Sequence, residues 1–288
     1  MVHRVFGAAH LMDDRSIIIP SLSGNFLTGR GFSREAEIGR GHRCGGGFPA
    51  TGLRGADTVV LVQTPPLPAE SEPPFMSADK SSSWSYAEDL PAEDDVLLRA
   101  RERSFELGVT PISPGVGAVL TVLAAASKAQ TVVEVGSGAG GVSGGVCLLR
   151  GLSPHAVLTT IDVDVEHLKA AREAFLESGS PANRTRTISG RAADVLPRLT
   201  DSAYDLVFID ADKPNFPPKY VEQAIRLLKS GGTLVINDAL DKDRVSNPAA
   251  RDATTVVLRQ IGKAIRDDER LASAMLPTGD GLLVAVKK

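Results

Sequence analysis

The sequence predicts an α/β protein with a doubly wound, mostly parallel sheet, and three observations support this. From Pro91 onward, short β-branched segments alternate with amphipathic segments of helical period. The β-branched run Thr131–Val135 breaks into glycines directly after an acidic residue. Two further apolar runs, Tyr204–Asp212 and Thr233–Leu240, contain acidic residues near their ends. Ligands of such sheets bind beyond the carboxyl ends of the strands, so these polar residues are the candidates for function.

Composition limits the possible partners and the cellular compartment. The chain has 288 residues, of which 42% are hydrophobic and 23% charged, enough for one or two domains with a sizeable core. A net charge of −3, with both signs interspersed, argues against nucleic acid or an anionic membrane as partner. Cys44 and Cys147 match no disulfide or metal spacing. No apolar run is long enough for a signal peptide or a membrane span, so we expect a cytoplasmic protein.

Residues 1–75 differ from the rest of the chain in composition and in hydrophobic pattern. They contain 11 glycines, 7 prolines and 7 arginines but no lysine, and they show no sustained periodicity. Such a segment cannot bury enough surface to offset its chain entropy, so we predict a disordered extension. A second hypothesis is that translation starts at Met76, in which case residues 76–288 are the whole folded domain.

Two helices precede the first strand. Residues 91–108 begin with acidic residues, carry apolar side chains at helical spacing and end at Gly108. Residues 113–128 follow with Ser113 as N-cap and Pro114 at the first helical position. After the glycines, strands are predicted at residues 157–164, 184–190, 204–212 and 233–240, helices at 165–179, 191–199, 217–232 and 249–267, and a terminal hairpin at 276–288.

The glycine turn is the best candidate for a cofactor cradle. Gly136 to Gly141 match the pattern GxGxxG, and Asp162 stands 22 residues after Gly140 at the end of the next strand. We expect exposed backbone N–H groups and a helix that begins near Val142, both suited to a polar or anionic ligand. A carboxylate at the position of Asp162 can accept two hydrogen bonds from a ribose. The alternatives are an NAD(P)-dependent oxidoreductase, or an Asp162 that merely caps the following helix.

Two other motifs are excluded by the sequence that surrounds them. Gly141 to Gly145 satisfy GxSxG, but Ser143 lies eight residues past Val135 and no histidine follows His167, so a hydrolase elbow is excluded. No GK[ST] follows the glycines, which excludes a P-loop. Glu134 is more informative, because a charged side chain near a strand end is costly to bury unless it meets a ligand or hydrogen-bond donors.

Five segments together resemble the S-adenosylmethionine-dependent O-methyltransferases of the catechol and caffeoyl-CoA type, including their small bacterial relatives. The segments are VVEVGSGAG, TTIDVD, YDLVFIDADK, LLKSGGTLVINDAL and LPTGDGLLVAVKK, in that order. The resemblance covers residues 91–288. It implies a class I methyltransferase, which is Rossmann-like with a seven-stranded sheet and N-terminal helices. It also implies S-adenosylmethionine as cofactor, a small-molecule hydroxyl acceptor and a homodimer.

The resemblance assigns cofactor contacts to nine positions: Ile112, Glu134, Gly136, Ser137, Ser143, Asp162, Val163, Ala192 and Asp212. Glu134, Gly136, Ser137 and Ser143 would surround the methionine part of the cofactor. Asp162 and Val163 would meet the ribose and the edge of the adenine, Ala192 the adenine, and Asp212 the reactive end. The chain has one more residue between Glu134 and Ser143 than members of the family usually have.

The resemblance also implies how the acceptor hydroxyl is activated. Asp210, Asn237 and Asp238 match a divalent cation site, typically for Mg²⁺, and Asp210 would also meet the substrate. Lys213 matches the general base, which requires a depressed pKa. Members of the family usually have Asp-Asn where this chain has Asn237-Asp238, so a merely polar strand end is the alternative, as a solvated lysine is for Lys213. A relative that binds the cofactor without catalysis is a further hypothesis.

Overall fold

The computed structural model describes residues 80–210 and 219–288, apart from the side chains of residues 139–143. All of these belong to one compact unit, Ser77–Lys288. The predictions for residues 1–75 and for a translation start at Met76 lie outside the described residues, as do Asp212 and Lys213.

Seven strands form one sheet in the order β3-β2-β1-β4-β5-β7-β6. Strands β1 to β5 pair in parallel, and only β7 runs antiparallel to its two neighbours, β5 and β6. The predicted doubly wound, mostly parallel sheet and the terminal hairpin are therefore confirmed. The strands are β1 (Thr131–Val135), β2 (Val157–Asp162), β3 (Thr185–Ser189), β4 (Tyr204–Ile209), β5 (Leu228–Ile236), β6 (Leu271–Leu276) and β7 (Leu282–Lys287).

Helices cover both faces of the sheet, and the alternation of strand side chains divides the core in two. Val132 packs with helices α2 to α5, whereas Val133 and Val135 pack with α6 to α8. The helices are α1 (Lys80–Asp89), α2 (Asp95–Glu106), α3 (Pro114–Ala126), α4 (Gly138–Gly151), α5 (Val165–Glu177), α6 (Ala192–Val195), α7 (Lys219–Leu227) and α8 (Ala253–Asp267). Among these described helices, none is long and apolar enough to cross a membrane.

Glycines let α3 and α4 pack closely beneath the site. A Cβ added at Gly117 would lie 2.8 Å from Cys147 Sγ, and one at Gly151 would lie 2.2 Å from the Thr121 carbonyl oxygen. The Thr121 hydroxyl donates to the Cys147 carbonyl at 2.8 Å. Burial raises the pKa of the Cys147 thiol to about 12, so this cysteine is an inert thiol of the core.

Several predicted boundaries were wrong. Helix α4 begins at Gly138, four residues before Val142, because the left-handed φ angles of Gly136 (82°) and Gly138 (46°) complete the turn within three residues. The helix predicted at residues 217–232 ends at Leu227, because β5 already pairs with β4 from Leu228 onward. Strands β2, β4 and β5 end two to four residues earlier than predicted, and α8 begins at Ala253 instead of Ala249.

Candidate functional site

A cavity of about 880 Å³ lies at the carboxyl ends of the parallel strands. Six residues predicted for the site line it: Gly136, Asp162, Val163, Ala192, Asp210 and Asp238. They come from four strand ends and from the start of α6, so the crossovers of the sheet bring together residues up to 102 positions apart, from 136 to 238. The general prediction of a crevice beyond the strand ends is thus met by the structure.

The glycine turn is organised by the neighbouring strand. The N–H groups of Gly136 and Ser137 both donate to the Ile161 carbonyl oxygen, at 2.9 and 3.2 Å. The next N–H, that of Gly138, donates to Asp162 Oδ2. The expectation that the turn leaves its amides exposed was therefore wrong for these three groups. Their hydrogen bonds instead fix the end of β1 against the end of β2.

Asp162 is held at the centre of this junction. Its Oδ2 accepts from Gly138, and its Oδ1 accepts from the Asp164 N–H at 2.9 Å. Helix α5 is capped by Asp164, whose side chain accepts from the Glu166 N–H at 2.8 Å. The alternative that Asp162 is the N-cap of α5 is therefore wrong. His167 Nδ1 lies 3.6 Å from Asp162 Oδ1 and also lines the cavity.

Glu134 lies beneath α4 and is not among the described residues that line the cavity. Its side chain is fully buried, and Oε2 accepts from the Thr160 hydroxyl at 2.7 Å while Oε1 has no partner. A Cβ at Gly144 would lie 2.8 Å from Oε1, so the glycine makes room for the carboxyl group. Burial raises the pKa of Glu134 well above its usual value, and the charges of Asp210 and Asp162 raise it further against the hydrogen bond from Thr160. Burial of Glu134 thus favours its protonated form.

Of three other residues predicted to contact the cofactor, two do not line the described part of the cavity. Ser137 is fully buried and its hydroxyl oxygen has no partner, whereas Ile112 belongs to the core on the α3 side of the sheet. The Ile112 carbonyl accepts from Arg101 at 2.5 Å. Neither is among the described residues that line the cavity. The side chain of Ser143 is outside the described part, so the roles of these three residues stay predictions.

Asp210, Asn237 and Asp238 lie at the ends of β4 and β5. Asn237 Nδ2 donates to Asp210 Oδ1 at 2.9 Å, and the buried Oδ1 of Asn237 has no partner. The backbone of Asp238 is left-handed (φ 49°), and its side chain lines the cavity together with Asp210. Within residues 80–210 and 219–288, no three His, Cys, Asp or Glu side chains form a metal site. A cation here would therefore need the amide oxygen of Asn237 beside the two carboxylates.

Sequence reasoning missed several residues that line the cavity. They are Val109, Thr110, His167, Gly190, Arg191, Tyr220, Lys242 and Asp280. Asp280 lies within the recognised segment LPTGDGLLVAVKK and could have been singled out as its acidic residue. Its carboxylate accepts from the Lys242 N–H at 2.6 and 2.8 Å. Burial raises the pKa of Asp280, and the charges of Asp238, Asp241 and Asp243 add to this effect.

The loop after β5 is conformationally strained. Asp241, Lys242 and Asp243 are successive residues with φ of 52°, 53° and 62°. A left-handed backbone costs about 1–2 kcal/mol for each residue with a Cβ, somewhat less for aspartate. Side chains compensate for this cost, because the Asp241 carboxylate pairs with Arg244 at 2.5 Å and accepts from the Thr255 hydroxyl. Strain that the surroundings enforce is typical of functional segments.

Comparison with known proteins shows the family of the chain. The sequence profile of the O-methyltransferase family matches residues 92–288. A Mycobacterium tuberculosis protein with an O-methyltransferase name is 50% identical over 206 residues, covering 72% of this chain and 91% of its own. A similarly named Mycobacterium ulcerans protein is 48% identical over 224 residues, covering 78% and 96%.

Solved structures show the same fold. A Corynebacterium glutamicum protein superposes with a TM-score of 0.66 at 31% identity, covering 72% of this chain and 96% of its own. The O-methyltransferase TomG of Streptomyces achromogenes, which takes part in tomaymycin synthesis, was solved with S-adenosylmethionine. It superposes with a TM-score of 0.64 at 25% identity and covers 74% of this chain and 100% of its own.

The seven-stranded sheet and the crevice at its strand ends define a class I methyltransferase that uses S-adenosylmethionine. Within that class, the chain belongs to the O-methyltransferase family. The resemblance seen in the sequence is confirmed, and the oxidoreductase alternative is set aside.

Proposed function

We propose that this O-methyltransferase methylates a hydroxyl group of a small, catechol-like acceptor. The observation that carries the proposal is the continuity of the cavity. One end is lined by Gly136 and Asp162, and the other by Asp210, Asp238 and Asp280, so a cofactor and an acceptor can meet inside a single space of about 880 Å³. A volume of this size accommodates two small molecules.

The cofactor end fits S-adenosylmethionine. Asp162 lines the cavity with a carboxylate that is already positioned by two backbone N–H groups, and its remaining lone pairs suit the ribose hydroxyls. Val163 and Ala192 add apolar surface beside it for the adenine. Gly136, in the left-handed region at 82°, lets the backbone approach the ligand where a Cβ would be strained. We assign the methionine part to the turn at Ser137, whose buried hydroxyl has no protein partner.

The acceptor end has to orient a hydroxyl group and receive its proton. The cofactor supplies an electrophilic methyl group on a positively charged sulfur. The acceptor oxygen bonds to that methyl carbon as the carbon–sulfur bond breaks, and the hydroxyl proton leaves to a base. We propose that Asp210 orients the hydroxyl and that Lys213, with Asp212 beside it near the reactive end, receives the proton. The latter two lie outside the described residues, so the resemblance alone supports their roles.

We also propose a divalent cation, Mg²⁺, at this end of the cavity. The chemistry of the donor set supports it, since two carboxylates and one amide oxygen are hard oxygen ligands. Asn237 turns Nδ2 toward Asp210 at 2.9 Å and leaves its buried Oδ1 unpartnered, so a rotation of the amide would bring that oxygen to the cation beside Asp210. A bound cation would lower the pKa of an acceptor hydroxyl. The reversed order Asn237-Asp238 is compatible with this, because both residues follow the end of β5 and are not alternating strand positions.

Two further parts of the proposal rest on the resemblance and on composition. We propose that the protein is a homodimer and that it acts in the cytoplasm. Sedimentation velocity of the purified protein would test the first, with a single species at twice the monomer mass as the expected result. Fractionation of the source cells would test the second.

Methyl transfer from radiolabelled S-adenosylmethionine to a panel of small molecules tests the proposed reaction. The panel contains catechol, caffeic acid, guaiacol and phenol, each with Mg²⁺ or with EDTA. We expect methylation of the two vicinal diols, and at least a tenfold loss of rate with EDTA because the cation activates the hydroxyl. Turnover that is insensitive to the chelator would remove the metal from the proposal. Tight binding of S-adenosylhomocysteine without any turnover would favour a relative that has lost catalysis.

A further inference from the structure

We propose that Glu88, on helix α1, is a positioning residue that fixes the acceptor end of the cavity through the turn 278–281. The inference rests on the proposed function insofar as it assigns that end of the cavity to the acceptor. Glu88 itself does not line the cavity. It acts through a series of hydrogen bonds that can be followed from α1 to the loop after β5.

Glu88 attaches α1 to the rest of the protein. None of the ten residues of α1 is buried, and Glu88 is the one that is partly buried while the others are exposed. Its Oε1 accepts from the Thr278 hydroxyl and the Gly279 N–H, both at 2.6 Å, and its Oε2 accepts from the Gly115 N–H at 3.1 Å. One carboxylate thus joins α1, the start of α3 and the turn between β6 and β7.

The carboxylate is charged in this position. Burial alone would raise the pKa of Glu88, but hydrogen bonds from Ser113, Thr278, Gly279 and Gly115 outweigh it and hold the pKa below its usual value. It also sits at the N-terminus of α3, where the helix dipole favours a negative charge. Hydrogen bonds to a charged acceptor are stronger than neutral ones, so the attachment is a firm one.

Two glycines make room for this arrangement. A Cβ at Gly115 would lie 2.5 Å from Glu88 Oε2, inside the carboxylate itself. Gly279 has a left-handed φ of 57°, and a Cβ there would lie 2.7 Å from Val116 on α3. The turn can approach α3 only because both positions lack a side chain. Glycine at position 115 on α3 and at position 279 in the turn therefore fits the contact that Glu88 makes with both segments.

The turn continues directly into the acceptor end. Its Gly281 carbonyl accepts from the Ala239 N–H at 2.8 Å, and its Asp280 carbonyl accepts from the Leu240 N–H at 2.9 Å. The Asp280 carboxylate accepts from the N–H of Lys242, the second of the three successive left-handed residues. The segment that follows Asp238 is thus held in its strained conformation by a turn that Glu88 anchors.

The cofactor end at the β1–β2 junction is anchored by contacts that do not involve Glu88. Arg101 donates to the Ile112 carbonyl and is itself paired with Glu93 at 2.5 Å. Asp162 and Gly138 lie at the β1–β2 junction and share no partner with Glu88. Loosening the turn should therefore affect the acceptor and spare the cofactor.

Three variants test the proposal by kinetics and binding. Glu88→Gln keeps the shape but loses the charge and one acceptor oxygen, Gly115→Ala displaces the carboxylate, and Asp89→Asn is the control on an exposed neighbour. With catechol as acceptor, Glu88→Gln and Gly115→Ala should each raise KM about tenfold. The Kd of S-adenosylhomocysteine, measured by calorimetry, should stay within about twofold of wild type. The double variant should be no worse than either single one, because both remove the same contact.

Hydrogen exchange on the complex with S-adenosylhomocysteine tests the series of contacts without any acceptor. The amides of Gly279 and Lys242 should exchange about ten times faster in Glu88→Gln, while the Gly138 amide stays unchanged. A wild type that leaves catechol unmethylated would contradict the proposed acceptor class and not this positioning role. The positioning role is overturned if the Lys242 amide does not respond, if cofactor affinity falls in parallel with the KM effect, or if the Gly115→Ala effect adds fully to that of Glu88→Gln.

Discussion

The two ends of the cavity are built differently. The cofactor end is formed where β1 and β2 end side by side, with hydrogen bonds from Gly136, Ser137 and Gly138 to the neighbouring strand. The acceptor end is formed by the loop after β5, where Asp241 to Asp243 are left-handed and are held by Asp280. The first end is thus part of the sheet, whereas the second depends on contacts from outside it. Such a division allows one fold to keep its cofactor while its acceptor changes.

Glu134 and Asp162 show that a shift of two residues along a strand changes the surroundings of a carboxylate. Glu134 pairs in register with Thr160, and Asp162 lies two residues further along the neighbouring strand, on the same face. Two residues of strand correspond to about 7 Å. This is enough to place Glu134 beneath α4, where burial raises its pKa, and Asp162 at the start of α4 on the wall of the cavity.

The largest effect is expected from Asp162→Ala. It removes both the carboxylate that we assign to the ribose and the acceptor of the Gly138 N–H, so the Kd of S-adenosylhomocysteine should rise about 100-fold. Calorimetry measures it. Asp164→Ala is the control, because it removes only the cap of α5 and should leave the Kd nearly unchanged while lowering stability by about 1 kcal/mol. Equal losses of affinity in the two variants would contradict the special role of Asp162.

A smaller effect, confined to the other end, is expected from Asp238→Asn. Asparagine tolerates the left-handed backbone, so the loop should keep its shape while one proposed cation ligand is weakened. We expect kcat with catechol and Mg²⁺ to fall about 30-fold, with the Kd of S-adenosylhomocysteine within about twofold. Asp243→Asn, in the same loop but off the cavity wall, should behave as wild type. Parallel loss of cofactor affinity in Asp238→Asn would show that the two ends are not independent.

The smallest effect concerns Glu134 and is one of stability. Its folded-state pKa is raised, so the folded state holds a proton that the unfolded state loses above its ordinary pKa near 4.5. This proton makes wild type lose stability relative to Glu134→Gln as the pH rises above 4.5. In urea unfolding, the difference should move in favour of the variant by about 1.4 kcal/mol for each unit by which the folded-state pKa of Glu134 is raised.

The control for the pH dependence of stability is Thr160→Val, which removes the hydroxyl that donates to Glu134. It should destabilise the protein and leave the pH trend in place, because the carboxyl group is still buried. A difference between wild type and Glu134→Gln that does not change with pH would mean that Glu134 is ionised in the folded protein.

Much of the fold could be predicted, because strand and helix periods differ and the central strands β1 and β4 are mostly apolar. The predictions of Ser113 as N-cap, of Pro114 at the first helical position and of a strand at Thr131–Val135 are confirmed. Helix α1 was not predicted, because its polar sequence KSSSWSYAED has no apolar face. The early start of β5 was missed because pairing with β4, and not local pattern, decides it.

The candidate site could be predicted where a residue ends a strand. Asp162, Asp210 and Asp238 were found for that reason, and all line the cavity. Glu134 was expected at the strand end too, but its position one residue before the last of β1 turns it beneath α4. Lys242 and Asp280 were missed because 38 residues separate them, and the Lys242 N–H meets the Asp280 carboxylate only in the folded protein.

The alternation of strands and helices, the glycine turn followed by Asp162 at the next strand end, and the family could all be read from the amino-acid sequence. These depend on local period, on residues adjacent in the chain and on motifs in a fixed order. The three-dimensional structure was needed to show that the turn's first amides are already bonded, that Glu134 is buried with a raised pKa and that Glu88 reaches the turn at Thr278 and Gly279. This is because burial and hydrogen-bond partners are set by residues distant in sequence. For Glu88 that distance is 190 positions to Thr278.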